Sequence, residues 1–295
     1  MPPLPDGARW ERSVGYLGPE GTFSEQALFA SARAGAVEPV ALATIHEAIT
    51  AVESGALRWA LVPIENALEG SVAVTLDLLA EHAGRIRIAG ETVLAIHHAL
   101  IARRPVELAR IEEVLTHPQV PGQCSEFLRG ELAAARIVPA TSTAEAVRAV
   151  SQDDADGRAA IGTTLAAEIY GAHVLRERIE DHHDNETRFV WLRGVGDDAD
   201  APLASTATVM HTSLLFWGPG TEHAGWLVRC LDEFARREVN LTKIESRPRR
   251  GRLGTYMFFA DVEGAADDAD VAAAIDGLSD LCEEVRLLGS YPAYA

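Results

Sequence analysis

Apolar residues recur along this chain with two different periods. SVGYLG, EPVALAT and WALVPIE are short apolar or alternating runs and read as strands, each followed by a stretch with helical spacing. The helices start at Ser24, run from His46 to Leu57, and run near Val72 to His82. This βα alternation predicts a parallel or mixed sheet with helices on its faces. RIRIAGETVLAIHHALIAR lacks helical period and reads as one long β-type stretch. A second series follows: the strands EEVLTH, RIVPA and RAAIG, with helices from about Pro121 to Ala135, Thr143 to Val150 and Thr163 to Tyr170. HVLRERI and TRFVWLR close the series. Two βα lobes joined by long strands predict a cleft between them, with the last strand returning to the first lobe.

The pattern changes after GVGDDADAPLAS, residues 194–205, which is poor in large apolar residues and reads as a linker. Beyond it come strand TATVMHTSLLFW, helix Gly225 to Glu238, strands VNLTKIESRP and TYMFFADVEG, helix Asp267 to Leu278 and strand EVRLLGS. That βαββαβ order predicts an α+β ferredoxin-like tail as a separate small domain.

Composition narrows the partners. The chain has 295 residues, 47% of them hydrophobic, enough for two folded domains. A net charge of −18 opposes nucleic acid and anionic membrane surfaces at long range. Positive charge is nearly all arginine, and Lys243 is the only lysine. Cys124, Cys230 and Cys282 form no CxxC pair and are expected to be reduced, buried thiols. The start MPPLPDGARWERS lacks the features of a signal peptide, and no apolar run reaches the length of a membrane span, so a soluble cytoplasmic protein is expected.

Candidate chemistry clusters at strand ends. GYLGPEGTFSEQA puts a Gly-Pro turn before Thr22 and Ser24 at a helix start, which suits an anion such as a carboxylate or is simply a capped helix. VPIENALEGSV places Glu65 and Asn66 beyond a strand end, where βα loops line clefts. LTHPQVPGQCSEF repeats this in the second lobe with Thr116, His117, Gln119 and Gln123, and STAEA and IGTTLAAE add hydroxyl-capped helix starts. His97-His98 and His182-His183 are adjacent pairs that on a strand point to opposite faces, and no HxxxH or HExxH spacing exists. No metal site is expected, and Asp181 to Glu186 reads as a solvated turn.

Taken together, GYLGPEGTFSEQA, VPIENALEGSV, HPQVPGQC, ETRF and NLTKIESRP resemble prephenate dehydratases that carry a C-terminal ACT domain, in order from about Val14 onward. The resemblance implies a two-lobed α/β catalytic domain over 13–193, similar to type-II periplasmic binding proteins, with its second lobe at about 96–182. It further implies a linker over 194–205 and an ACT regulatory domain over 206–291. It implies decarboxylative dehydration of prephenate to phenylpyruvate, water and CO2 in phenylalanine biosynthesis, without cofactor or metal. The family's essential threonine falls on Thr187; Glu65 is a candidate proton donor, and Arg188 either grips a carboxylate or serves a structural ion pair. Thr22, Ser24, Asn66, Thr116 and Gln123 are expected to orient the substrate, with Phe189 packing at its ring. Thr116 stands where the family often has serine.

The tail implies feedback control by L-phenylalanine bound where two such domains pair, through Gly225, Trp226, Leu227, Asn240, Leu241, Glu245 and Ser246. Ala224-Gly225-Trp226-Leu227 departs from the family's Gly-Ala-Leu, and a tryptophan there is expected to narrow the effector pocket or change its ligand. A homodimer or homotetramer is expected. Only about a dozen residues precede the first strand, so the chorismate mutase module fused to some relatives is expected to be absent. The competing readings are an arogenate dehydratase and a non-catalytic amino-acid sensor.

Overall fold

A computed structural model describes residues 10–204, 209–219, 223–249 and 254–293. The beginning of the predicted tail strand at Thr206, part of the GPGTEHA loop and the end of the RPRRGR run lie outside the described residues.

The first sheet holds β1 (Ser13–Leu17), β2 (Glu38–Leu42), β3 (Trp59–Asn66), β4 (Gly70–Ser71) and β5 (Ile86–Ala95), and β11 (Glu186–Gly194), which belongs to it although it comes much later in the chain. Its order is β2-β1-β3-β11-β5, with β4 paired to β3. β1 runs parallel to β2 and β3, whereas β11 is antiparallel to both β3 and β5. The second sheet, in order β10-β6-β9-β7-β8, holds β6 (Ala99–Ala102), β7 (Glu113–Thr116), β8 (Arg136–Pro139), β9 (Arg158–Gly162) and β10 (His173–Arg176). The predicted long β stretch is thus two strands broken at Ile96 to His98, where the chain passes between lobes. β11 makes the return crossing.

Helix starts are set by local chemistry. α1 (Phe23–Ser31), α2 (Ile45–Glu53), α6 (Thr143–Gln152) and α7 (Thr164–Tyr170) begin at Thr22, Thr44, Ser142 and Thr163, whose side chains accept a backbone N–H of the first turn. α2 buries Ile45, Ala48, Ile49 and Val52, the spacing of one helical face, and ends before Gly55, whose φ of 72° stops it short of the predicted Leu57. α3 (Ala73–His82) follows β4. The predicted helix over 121–135 is instead α4 (Val120–Gln123) and α5 (Ser125–Glu131), split at Cys124. Asp181 accepts the Ser125 N–H, the Ser125 hydroxyl and the Glu126 N–H at 2.8–2.9 Å, so a side chain from the crossing segment recaps the chain at the break.

The tail forms a four-stranded antiparallel sheet, order β13-β14-β12-β15, from β12 (Met210–Trp217), β13 (Leu241–Pro248), β14 (Tyr256–Glu263) and β15 (Glu284–Pro292). α8 (Trp226–Ala235) and α9 (Ala269–Leu281) cover one face. The other face is not free. Leu215, Phe259, Leu288 and Tyr291 share one apolar cluster with Ile88, Val190 and Leu192 of the first sheet, and a Cβ on Gly289 would meet the Ile88 carbonyl at 2.2 Å. The tail has its own core beneath its helices and shares a second one with the first lobe across its other face. The predicted linker is likewise pinned: Ala201 is buried, Arg33 donates to the Pro202 carbonyl, and Arg58 binds Asp197 through two nitrogens.

Candidate active site

β3 ends and β11 begins side by side at the inner edge of the first sheet, with Thr187 opposite Asn66 and Arg188 opposite Glu65. Successive side chains of a strand point to opposite faces. Thr187 and Asn66 line the cleft between the lobes, a hollow of about 430 Å³, together with Thr22, Ser24, His98, Gln123, Ser142 and Phe189. Arg188 and Glu65 point the other way, toward the tail.

The Thr187 hydroxyl has a defined polarity. The Asn66 amide oxygen accepts the Leu68 and Glu69 N–H groups at 3.0 Å, which fixes the orientation of the amide. Its nitrogen then donates to the Thr187 hydroxyl oxygen at 2.9 Å and to the Asn185 side-chain oxygen at 2.8 Å. With that oxygen already accepting, the threonine's own O–H is left to donate into the cleft. Asn66 lines the cleft and also orients the Thr187 hydroxyl. Asn66→Ala is expected to lower kcat roughly tenfold to a hundredfold by freeing the hydroxyl to rotate. Steady-state rates measured beside the melting temperature check this, since a purely structural loss would move the second more than the first.

The groups in the cleft that could hold an anion are neutral. No arginine or lysine lines the cleft among the described residues. The starts of α1 and α6, one from each lobe, supply N–H groups that have no acceptor inside their helices. The Ser24 hydroxyl opens on the cleft; the Thr22 hydroxyl does so less, because it donates to the Leu17 carbonyl and caps the Glu25 N–H.

The two lobes meet through a chain of polar groups. Glu69 accepts from Gln119 at 2.9 Å and from Gln123 at 2.7 Å. A carboxylate accepting from the Gln123 nitrogen turns that amide's oxygen toward His98, 2.9 Å from its Nε2. Nε2 therefore carries the imidazole proton, and Nδ1 is buried without a partner among the described residues. Burial holds the His98 pKa below the ordinary histidine range, outweighing the hydrogen bond to Gln123. On the other rim Thr163 donates to the Gly21 carbonyl at 2.6 Å and Tyr170 to that of Glu20 at 2.8 Å. Gly21, at φ 84°, has no room for a Cβ, which would meet Ala166 at 2.8 Å.

Several expected roles are corrected. Glu65 turns away from the cleft and pairs with Lys243 at 2.9 Å and Arg188 at 3.2 Å, so it cannot reach a leaving hydroxyl. Arg188 bridges Glu65, Glu91 at 3.1 Å and Asp261 at 2.7 Å, and the structural alternative is the one observed. Burial alone would lower its pKa; the carboxylates of Asp261 and Glu91 outweigh it and hold the guanidinium above the ordinary value. Thr116 is fully buried and donates to the Ile161 carbonyl at 3.1 Å inside the second sheet, away from the cleft. Ser24, Gln123 and Phe189 do line it. His182 and His183 are exposed, and Glu180 braces the interlobe crossing by accepting the His98 N–H.

Asn185, His98 and Glu69 were missed as cleft residues. Asn185 follows the exposed His182, His183 and Asp184, and His98 follows the half-buried His97; only burial separates each from its polar neighbours. In the tail, Gly225, Trp226 and Leu227 line a hollow of about 460 Å³, whereas Asn240, Leu241, Glu245 and Ser246 do not. Trp226 does not fill that hollow. The residue is 4% exposed, its indole lies tilted against Phe216 and Phe258 and donates to the Leu281 carbonyl, so its bulk lies in the tail's core.

Comparison with known proteins places this geometry. The sequence model of the family described as prephenate dehydratase matches residues 14–195. A prephenate dehydratase of Mycobacteroides abscessus is 40% identical over 285 residues, covering 95% of this chain and 89% of that protein. The crystal structure of a prephenate dehydratase from Arthrobacter aurescens in complex with L-Phe is 37% identical with a TM-score of 0.83, covering 95% of this chain and 89% of that one. A structure described as GqqA, a novel type of quorum quenching acylase, is 30% identical with a TM-score of 0.82, over 96% of this chain and 98% of that one.

Proposed function

This chain belongs to the prephenate dehydratase family, and we propose that its interlobe cleft converts prephenate to phenylpyruvate, water and CO2 with Thr187 as the donor to the leaving hydroxyl. Prephenate is a dianion. The neutral N–H groups at the starts of α1 and α6, with Ser24 and Gln123, suit its two carboxylates without neutralising them. Preserving the ring carboxylate's charge matters, because its electron pair is what drives the reaction. The C–CO2 bond breaks, its electrons enter the ring, and the C–O bond to the ring hydroxyl breaks as the ring becomes aromatic. The departing oxygen takes up one proton to leave as water. A threonine hydroxyl is too weak an acid to deliver that proton alone, so Thr187 stabilises the negative charge developing on the oxygen while solvent supplies the proton. Phe189 forms the apolar floor against which the ring flattens.

The observation that carries this reading is the Asn66 amide, which turns the Thr187 hydroxyl into a donor aimed at the cleft. The test is phenylpyruvate formation by the purified protein, with prephenate and arogenate compared side by side. Prephenate is the expected substrate: the ammonium of arogenate would find Glu69 as the acid in the cleft, and its carboxylate already accepts from Gln119 and Gln123. No Ser–His or Cys–His hydrogen bond occurs among the described residues, so the geometry does not favour acyl transfer through a covalent intermediate. Absence of turnover with prephenate would remove the proposal.

The βαββαβ tail serves as the ACT regulatory domain, and L-phenylalanine is its effector. Gly225, Trp226 and Leu227 provide one wall. Leu241 and Ser246 lie on β13, an edge strand, with Asn240 just before it, so a complete site requires a second copy and a dimer at least; Glu245, expected beside them, instead turns to the first lobe and binds Ser71. At a hundredfold excess over its Kd, phenylalanine is expected to stabilise the protein by about 2.7 kcal/mol while lowering activity. A titration that leaves both melting temperature and rate unchanged would contradict this. No described helix is long and apolar enough to cross a membrane, and we place the enzyme in the cytoplasm with amino-acid biosynthesis.

A further inference from the structure

We infer that Lys243, on the tail sheet, is a positioning residue for the reaction, gripping from behind the β3–β4 hairpin that aims Thr187 and joins the lobes. The inference rests on the reading of Thr187 as the donor and of the tail as the effector domain.

Four side chains make two back-to-back pairs. Asn66 and Thr187 meet on the cleft face of β3 and β11, while Glu65 and Arg188, their immediate neighbours, meet on the opposite face. The tail supplies one cation and one anion to that second pair: Lys243 binds Glu65 at 2.9 Å, and Asp261 binds Arg188 at 2.7 Å. Lys243 also donates to the Ser71 hydroxyl at 2.7 Å. Glu65 and Ser71 are register partners across β3 and β4, so one ammonium holds both strands of the hairpin. The turn of that hairpin contains the Leu68 and Glu69 N–H groups that orient Asn66, and the Glu69 carboxylate that binds Gln119 and Gln123 of the other lobe. A shift of Lys243 therefore reaches the donor and the interlobe contact through the same few residues.

The strand that carries Lys243 is the one expected to feel the effector. Lys243, Glu245 and Arg247 alternate along β13 and reach the first lobe, Glu245 through Ser71 and Arg247 through Asp77 at 2.8 and 2.9 Å. Leu241 and Ser246, expected to touch phenylalanine, belong to the same strand. The choice of residue type fits the role. Of 26 basic residues this is the single lysine, with an 11% exposed side chain among Glu65, Ser71 and Glu245. Two hydrogen-bonded acceptors and a third carboxylate at 3.7 Å around one nitrogen suit a compact ammonium, whereas a planar guanidinium would direct its donors in one plane and need more room.

The experiment uses the full-length enzyme and compares wild type, Lys243→Met, Lys243→Arg, Glu65→Gln and the Lys243→Met/Glu65→Gln double variant. For each, kcat, KM for prephenate and melting temperature are measured, with phenylalanine binding followed by calorimetry. Lys243→Met is expected to lower kcat about tenfold while KM changes less than about twofold, because it loosens a transition-state contact and not substrate binding. Phenylalanine still binds this variant but changes its rate at least about fivefold less than it changes that of wild type. The double variant loses no more than the worse single one, the signature of two residues acting as one unit. Lys243→Arg keeps the charge and recovers part of kcat; it carries the test if Lys243→Met fails to fold. Wild-type kcat and wild-type inhibition in Lys243→Met, or in Lys243→Arg where that variant carries the test, would overturn the inference. A wild-type enzyme that binds no phenylalanine would sink the regulatory reading alone, leaving the kcat comparison to decide the positioning role.

Discussion

Thr187→Ala is expected to slow phenylpyruvate formation roughly a hundredfold to a thousandfold, the loss typical of removing one preorganised donor to a developing negative charge. The substitution leaves the Asn66 amide in place, held by the Leu68 and Glu69 N–H groups, but its nitrogen then loses an acceptor and nothing relays it to the substrate. Affinity for prephenate should change little, since in the proposed complex the neutral helix starts and Gln123 hold the carboxylates. Thr187→Ser keeps the hydroxyl and loses only the methyl that packs in a buried position, so it should remain within about tenfold of wild type. Initial rates from phenylpyruvate absorbance, with both variants at substrate saturation, give the comparison. An alanine variant turning over like wild type would take Thr187 out of the chemistry.

Arg188→Met should act on stability first. Arg188 sits among Glu65, Glu91 and Asp261, and the last two of these are buried. Removing the one guanidinium they share leaves carboxylates facing one another out of water, a change that costs roughly 3–5 kcal/mol when a buried pair loses one partner. Arg188→Lys should recover only part of this, because a single ammonium cannot reach acids on β3, β5 and β14 together. Urea unfolding followed by tryptophan fluorescence reads the effect, with Trp191 three residues beyond the substitution on β11. Near-wild-type unfolding of Arg188→Met, with a raised KM instead, would restore Arg188 as a carboxylate holder.

Much of the architecture was legible because it is local. The 2.0 and 3.6 periods mark the strands and helices, and Thr or Ser before α1, α2, α6 and α7 marks their starts. The βα series in two runs, followed by βαββαβ, matches the two mixed sheets and the antiparallel tail sheet. Even the break after Ala95 has a signal in hindsight: His97-His98 interrupts a strand that then continues. The errors arose where a side chain's environment depends on a distant segment. Thr116 carries the same hydroxyl as Thr187, yet the second sheet closes over one and the cleft opens on the other. Residues 194–204 looked like a free linker from composition, but Ala199, Ala201 and Leu203 have enough apolar surface to pack onto the first lobe. Cys230 and Cys282, far apart in sequence, lie with their sulfurs 3.9 Å apart because α8 and the end of α9 meet over the tail sheet.

By itself the sequence determined which elements form and which residues sit at their ends, since hydrogen bonding along the backbone and capping act over a few residues. It also determined that Thr187 and Arg188, adjacent on a strand, must face opposite ways, whereas the same holds for Glu65 and Asn66 only because β3 runs on through Asn66 instead of ending before Glu65. Only the tertiary structure decided which member of each pair faces the cleft. The tail sheet covers one face of β3 and β11 with Lys243 and Asp261, so the charged residues turn there to find partners, and the uncharged Asn66 and Thr187 are left to the cleft.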